Sequence, residues 1–354
     1  MHDSKTKNYL SVILIVIVFS SCINRANQYF QRGNYKNSIN DFEGAIIEFN
    51  KGLEADNNNA FCLVGRGISK SNLRDYKGAI EDYSRAIKID SMLGSAHFHK
   101  GIAEMHLGNT IEAISDYTAA IKIEPNVALY YGQRAYSKEK LERFEEALED
   151  YNSALAIDSL NSDFLLDRAQ IKHNLSEYSS ALDDLDKAIS IRPDNKYVLL
   201  ERAFVYSDIK AYDEAIADFT TIIEYNNRDE DAYFTRGLNY MHLRKMDMAI
   251  ADFKKSIELS PQIGRGYYAY GKAMYIIGNY LDANELLQMA IDRDFEHYDA
   301  LFFMGLTKNR LGDYQKACDF LQQACNQGMI EACDSLKNID CNKPSKTLLE
   351  SQAI

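Results

Sequence analysis

Three histidines, His97, His99 and His106, fall within ten positions of one another, a density that invites a metal site. Helical geometry defeats it. Residues two apart on a helix point about 200° from each other, and His106 would lie roughly 10 Å beyond His99 along the axis. Three ligands do not converge there, so no metal is expected. Gly65, Arg66 and Gly67 look like part of a phosphate loop but follow no strand pattern. Asp and Glu are plentiful, yet no nucleophile–base arrangement stands out. The expectation is a protein that is not an enzyme and carries no cofactor. Two other sets of reactive residues remain. Cys318, Cys325, Cys333 and Cys341 gather at the C-terminal end, and a ladder of opposite charges runs through the chain.

The elements that position these residues repeat. Sliding the chain against itself by 34 residues gives an unbroken register from Ala26 to Glu331, with nine repeats starting at 26, 60, 94, 128, 162, 196, 230, 264 and 298. Position 20 is alanine in all nine, from Ala45 to Ala317, position 8 is Gly or Ala throughout, and position 24 is bulky, for example Phe49, Tyr83 and Leu321. Small residues at 8 and 20 let two antiparallel helices approach closely, and the residue at 24 fills the space beside them. In the second repeat the pattern predicts one helix over Phe61–Leu73, a turn at Arg74 and Asp75, and a second helix over Tyr76–Ile89. Only four prolines and 18 glycines interrupt 354 residues, and Pro125, Pro193 and Pro261 all hold position 32, just past a second helix. No repeat can bury its apolar face alone, so neighbours must stack.

The ladder follows the same register. Position 7 carries Arg32, Arg66, Lys100, Arg134, Arg168, Arg202 and Arg236, and position 23 carries Glu48, Asp82, Asp116, Asp150, Asp184, Asp218 and Asp252. Both charges vanish together in repeat eight (Tyr270, Leu286) and repeat nine (Met304, Phe320). Positions that gain and lose charge together are expected to touch, as ion pairs fixing the register of each hairpin. Losing an acid such as Asp184 would then strand a partly buried arginine.

A 34-residue period with small residues at 8 and 20 and a bulky one at 24 resembles the tetratricopeptide repeat. The resemblance implies an all-α fold: an α-solenoid, a right-handed superhelix, of nine helix-turn-helix repeats over 26–331 with a C-terminal capping helix. It also implies that positions 2, 5, 9, 12 and 13 of each first helix face a groove that binds a protein or peptide. Here those positions include Phe98, Ile102, Tyr136, Tyr197, Phe204, Phe234, Tyr268 and Tyr275, side chains of the kind that anchor interfaces. The Lys/Asn set with which some relatives clamp a terminal carboxylate is not reproduced, since Phe30 stands where a lysine would be needed beside Asn34. A glycan-recognising or enzyme-accessory module is the alternative, with groove tyrosines stacking on sugar rings.

Residues 1–21 differ from the rest. Lys5 and Lys7 precede an apolar run from Leu10 to Phe19, followed by Ser20, Ser21 and Cys22. A run of about ten is short of the roughly 20 that span a bilayer, and the grammar is that of a secretory signal. The ending resembles a bacterial lipobox, which implies cleavage before Cys22, lipidation (palmitate included) of its thiol, a short anchor linker over 22–25 and a place in the cell envelope, facing the periplasm or at the outer membrane. A net charge of −12 makes nucleic acid and anionic lipid poor partners. The membrane is then met through the lipid anchor only.

Around Cys325 and Cys333 the chain resembles cysteine-rich helical repeats related to the tetratricopeptide fold, which implies a disulfide between that pair. If the chain turns back at Gly328, Cys318 and Cys341 face each other too; free buried thiols are the alternative. Residues 332–342 would form a stapled cap, Cys62 a small core residue, and 343–354 a disordered tail.

Overall fold

The computed structural model describes residues 25–293 and 298–344, and within them every regular element is an α-helix. Chain contacts gather into two units, Met1–Leu175 and Ser176–Ile354. In the first, α1 (25–38) pairs with α2 (Phe42–Ala55), α3 (Ala60–Asn72) with α4 (Tyr76–Ile89), α5 (Gly94–His106) with α6 (Thr110–Ile123) and α7 (Ala128–Glu139) with α8 (Phe144–Ile157), and α9 (Ser162–Asn174) packs on α8. The second opens with α10 (Tyr178–Ile191) against α11 (Lys196–Asp208). The hairpins then run α11 with α12 (Tyr212–Tyr225), α13 (Glu230–His242) with α14 (Met246–Leu259), α15 (Gly264–Ile276) with α16 (Tyr280–Ile291) and α17 (Tyr298–Arg310) with α18 (Tyr314–Asn326), and α19 (Ile330–Lys337) closes the order. The fold is an all-α solenoid of helical repeats. Residue 25 already lies in α1 rather than in a linker, and α19 begins two residues before the expected cap. The signal segment, Cys22 and residues 345–354 lie outside the described residues.

Local chemistry sets the helix boundaries. Asn59 caps α3 by accepting the Cys62 N–H at 3.0 Å, and Asp75 caps α4 by accepting that of Gly78 at 3.0 Å. Between them Arg74 takes φ +65°, its N–H donates to the Ser71 carbonyl at 2.9 Å, and the Asp75 N–H donates to that of Lys70 at 2.9 Å. These are the bonds of a Schellman turn, which uses up the orphan carbonyls of the helix end. Position 15 of the repeat takes positive φ in the same way at Asn40, Gly108, Glu142, Ser176, Lys210, Arg244, Gly278 and Gly312.

The position-20 alanines are fully buried in every repeat. A Cβ on Gly67 would come within 2.6 Å of the Tyr83 ring, and one on Gly305 within 2.6 Å of Leu321. The glycine at position 8 is therefore the space that the position-24 side chain occupies. Each such ring or Leu contributes about 1.5–3 kcal/mol by leaving water. No described helix is long and apolar enough to cross a membrane.

Candidate functional site

Position 24 of one repeat lies behind position 6 of the next, at the base of the A-helix face expected to form a groove. In the first unit this base is apolar at Phe49 but polar in the three repeats that follow. Tyr83 stacks on His99 at 6.1 Å, the Tyr151 hydroxyl donates to Asp167 at 3.3 Å, and Tyr117, fully buried, has a hydroxyl with no partner. Burial beside Glu139 pushes the Asp167 carboxyl up to about 6, and burial raises Glu139 as well. In the second unit the same slots hold Leu185, Phe219, Phe253, Leu287 and Leu321, all buried, so its base is apolar.

Of the eight residues expected to face the groove, three are exposed: Tyr197 at 70%, Tyr136 at 41% and Phe204 at 38%. The Lys140 ammonium sits 4.8 Å over the Tyr136 ring. Ile102 is half-buried on the rim of a cavity between α3, α4 and α5. Phe234 is half-buried, with the Arg265 guanidinium 4.6 Å above its ring. Tyr268 and Tyr275 come together on Phe303, 6.3 and 5.6 Å away, with the Lys272 ammonium 5.0 Å over the same ring. Phe303 escaped the sequence reading, which did not consider position 6, and Lys272, at position 9, did so because only large apolar side chains were singled out there.

Phe98 is a correction. It is buried, with its ring 5.8 Å from Tyr117 and 4.7 Å from Tyr130. Position 5 in this repeat points between neighbouring hairpins, where a large ring gains more from packing than from exposure. Phe61 and Leu129, at position 2, are exposed on the A-helix face instead.

The charge ladder is an assembly of buried carboxylates held by guanidinium groups. Arg66 grips Asp82 with both Nε (2.8 Å) and Nη2 (2.5 Å); Arg134 holds Asp150 (2.9 and 2.6 Å), Arg202 holds Asp218 (2.9 and 2.6 Å) and Arg236 holds Asp252 (2.8 and 2.8 Å) in the same fork. Lys100 meets Asp116 at 2.8 Å. Lys70 and Lys138 add a second cation, each 2.8 Å from Asp82 and Asp150. The expected Arg32 pairing does not form: Glu48 is held by Lys51 at 2.6 Å, and Arg32 lies 5.7 Å over the Tyr29 ring. The fifth expected pair, Arg168 with Asp184, has one member in each unit.

Sequence reasoning missed a third member. The remaining Nη1 of each arginine donates to position 25 of the preceding repeat: Arg66 to Asn50 (2.6 Å), Arg134 to Thr118 (3.0 Å), Arg168 to Asn152 (2.6 Å), Arg202 to Asp186 (2.6 Å) and Arg236 to Thr220 (3.0 Å). Each arginine thus ties its own hairpin to its neighbour. Position 25 varies among Asn, Thr and Asp, so no single residue type marked it.

The histidines disperse only in part. His97 turns toward Asp116, 3.6 Å away, whereas His99 and His106 line one cavity. Among the described residues no group of three His, Cys, Asp or Glu is arranged to hold a metal. Cys325 and Cys333 are joined with Cα atoms 4.9 Å apart, and Cys318 and Cys341 with Cα atoms 5.9 Å apart. Both pairs tie α19 and the segment after it to α18, over a core of Leu301, Leu321, Ala324 and Ala332. Cys62 is buried, which pushes its thiol up to about 11.

Family models described as tetratricopeptide repeat match residues 64–128, 133–196, 230–263 and 299–327, together more than half of the chain. Among solved structures, a tetratricopeptide repeat protein from Parabacteroides merdae ATCC 43184 is 22% identical, covering 69% of this chain and 97% of that one, with a TM-score of 0.51. The pilF protein of Pseudomonas aeruginosa is 17% identical, covering 64% of this chain and 99% of that one, with a TM-score of 0.54. The Cut9–Hcn1 hetero-tetramer of the APC/C contains a chain 18% identical, covering 70% of this chain and 48% of that one, with a TM-score of 0.51. Identities this low carry the fold alone. No curated protein matches the chain.

Proposed function

Since the chain belongs to the tetratricopeptide-repeat family, we propose that it is a scaffold that holds a protein or peptide partner against its A helices. In this reading it is tethered to a membrane by lipid on Cys22 and serves in cell-envelope assembly. The observation that carries the docking is the exposure of large apolar side chains at positions 2 and 9, where a freely solvated helix face would be polar. They are Phe61, Leu129 and Tyr136 in the first unit and Tyr197 and Phe204 in the second. Supporting the tether are the basic, apolar and small residues that precede Cys22. Envelope assembly rests on fold-level analogy.

A photo-crosslinking residue at Tyr197, with one at Met248 on the exposed side of α14 as control, tests the docking. A partner trapped from Tyr197 alone is expected; equal trapping from both positions would overturn the assignment. For the tether, metabolic lipid labelling of wild type and Cys22→Ala is decisive, and label retained by the variant would remove it.

A further inference from the structure

A cavity of about 320 Å³ opens between α3, α4, α5 and the α3–α4 turn in the first unit. Its lining is chemically lopsided. None of its nine residues is Asp or Glu, in a chain that has 52 of them. Ser71, Arg74, Tyr83, His99 and His106 all line it, and none of these five side chains has a hydrogen-bond partner among the described residues. The ladder arginines Arg66, Arg134, Arg202 and Arg236 are forked onto carboxylates, whereas the Arg74 guanidinium at this cavity has no ion pair among the described residues. The imidazole of His106 is fixed by stacking on Tyr76 at 4.5 Å, and that of His99 stacks on the ring of Tyr83. Tyr83 is buried, which holds its phenol in the protonated, donating form, while burial lowers the His99 pKa. Fixed donors with no acceptor of their own, around one cationic fork, describe a receptor for oxygen anions.

We infer that this cavity binds an oxyanion group, a carboxylate or a phosphate, with Arg74 as the charge-bearing contact and Ser71, Tyr83, His99 and His106 as further donors around it. The cavity lies on the same A-helix face as the proposed docking, with Ile102, Ser71 and His106 at positions 9, 12 and 13, but small-anion binding there is measured without a protein partner, so either reading can fail alone. Arg74 is held where it is by its turn. Its φ of +65° belongs to the left-handed region, which glycine adopts at the same repeat position in Gly108, Gly278 and Gly312. Arg74→Gly therefore removes the charge without straining the fold.

The experiment is an NMR titration of the full chain, following the imidazole signals of His99 and His106. Inorganic phosphate, glutarate and sodium chloride are added in separate arms at constant ionic strength. Saturable shifts of both imidazoles by phosphate or glutarate, but not by chloride, are expected, and the arm that saturates first names the kind of anion. Arg74→Gly should weaken binding by roughly tenfold or more, one charged hydrogen bond's worth, while melting no lower than wild type. Ser71→Ala, with the charge retained, should weaken it less. Shifts that follow chloride equally, fail to saturate, or persist unchanged in Arg74→Gly would overturn the site.

Discussion

Within the second unit, α11–α14 and α15–α19 build the same hairpins with opposite chemistry. In the first set, Arg202 and Arg236 clamp Asp218 and Asp252 and reach back to Asp186 and Thr220 on the preceding hairpin. In the second set, those slots become Tyr270 with Leu286 and Met304 with Phe320. The geometry survives the exchange: Lys254, at the slot of Asp186 and Thr220, lies 5.4 Å over the Tyr270 ring, so the cation and its acceptor have traded places. The register between hairpins thus needs a filled slot of matched shape and polarity rather than charge as such. The ladder ends at Asp252, and the two disulfides staple the last described helices, from Cys318 on.

The largest expected effect comes from breaking one rung. Asp252→Ala strands the Arg236 guanidinium, whose only other hydrogen bond among the described residues goes to the neutral Thr220 hydroxyl, and should cost about 3–5 kcal/mol in urea denaturation. Asp218→Ala should cost visibly less, because Arg202 keeps the Asp186 carboxylate at 2.6 Å. Installing the alternative chemistry, Arg236→Tyr together with Asp252→Leu, should recover most of the loss, as apolar replacements of buried ion pairs do. A double variant as unstable as Asp252→Ala would show that the two chemistries are not interchangeable.

Reduction is the corresponding test for the other region. Opening both disulfides releases a loop from Cys318 to Cys341 and should cost about 3 kcal/mol by chain entropy. Hydrogen exchange should rise in α18 and α19, with α11–α14 still protected. The stability difference between wild type and Asp252→Ala should be the same with and without reductant.

How much of this was legible follows from what each feature demands of the sequence. The hairpins were readable because Ala at position 20 admits no substitute, and α4 spans the residues its apolar spacing predicted, Tyr76–Ile89. Arg66 with Asp82 was readable because the two charged positions disappear together later in the chain. The links to position 25 were not, since any side-chain oxygen accepts an N–H equally well. Phe98 was misplaced because a pattern records that a residue is large and apolar, not whether its neighbour Tyr130 leaves room beside it. The cavity was hidden for a similar reason: His99 and His106 lie far apart along α5, and only the turn at Arg74 closes the space between them.

The first unit supplies the ladder's converse, a carboxylate without a base. Asp167 has its pKa raised to about 6 by burial and by Glu139, against an ordinary value of 3.8. The folded state therefore favours the proton more than the unfolded chain does. Stability on this account is greatest below about pH 4 and declines as pH rises through 6. Asp167→Asn should stabilise the protein by about 1–3 kcal/mol at pH 7.5 and by almost nothing at pH 4. A stabilisation independent of pH would mean that shape, not charge, explains the effect, and the contrast with the paired Asp252 would fail.

The smallest effect tests whether the two regions of the second unit differ in backbone as they do in side chains. The turns of the ladder hairpins place Lys210 and Arg244 at φ of +64° and +58°, while those of α15–α19 place Gly278, Gly312 and Gly328 at +82° to +95°. A residue with a Cβ loses about 1–2 kcal/mol in that conformation, and glycine loses about half of that to its freer unfolded chain. Arg244→Gly should therefore raise stability by about 0.5–1 kcal/mol. Gly278→Ala should lower it by about 1 kcal/mol, and a Cβ there meets nothing within 4 Å, so the measurement reads backbone strain alone. If both substitutions prove neutral, the left-handed turn costs nothing in either region, and the glycines after α14 must be explained by something other than conformation.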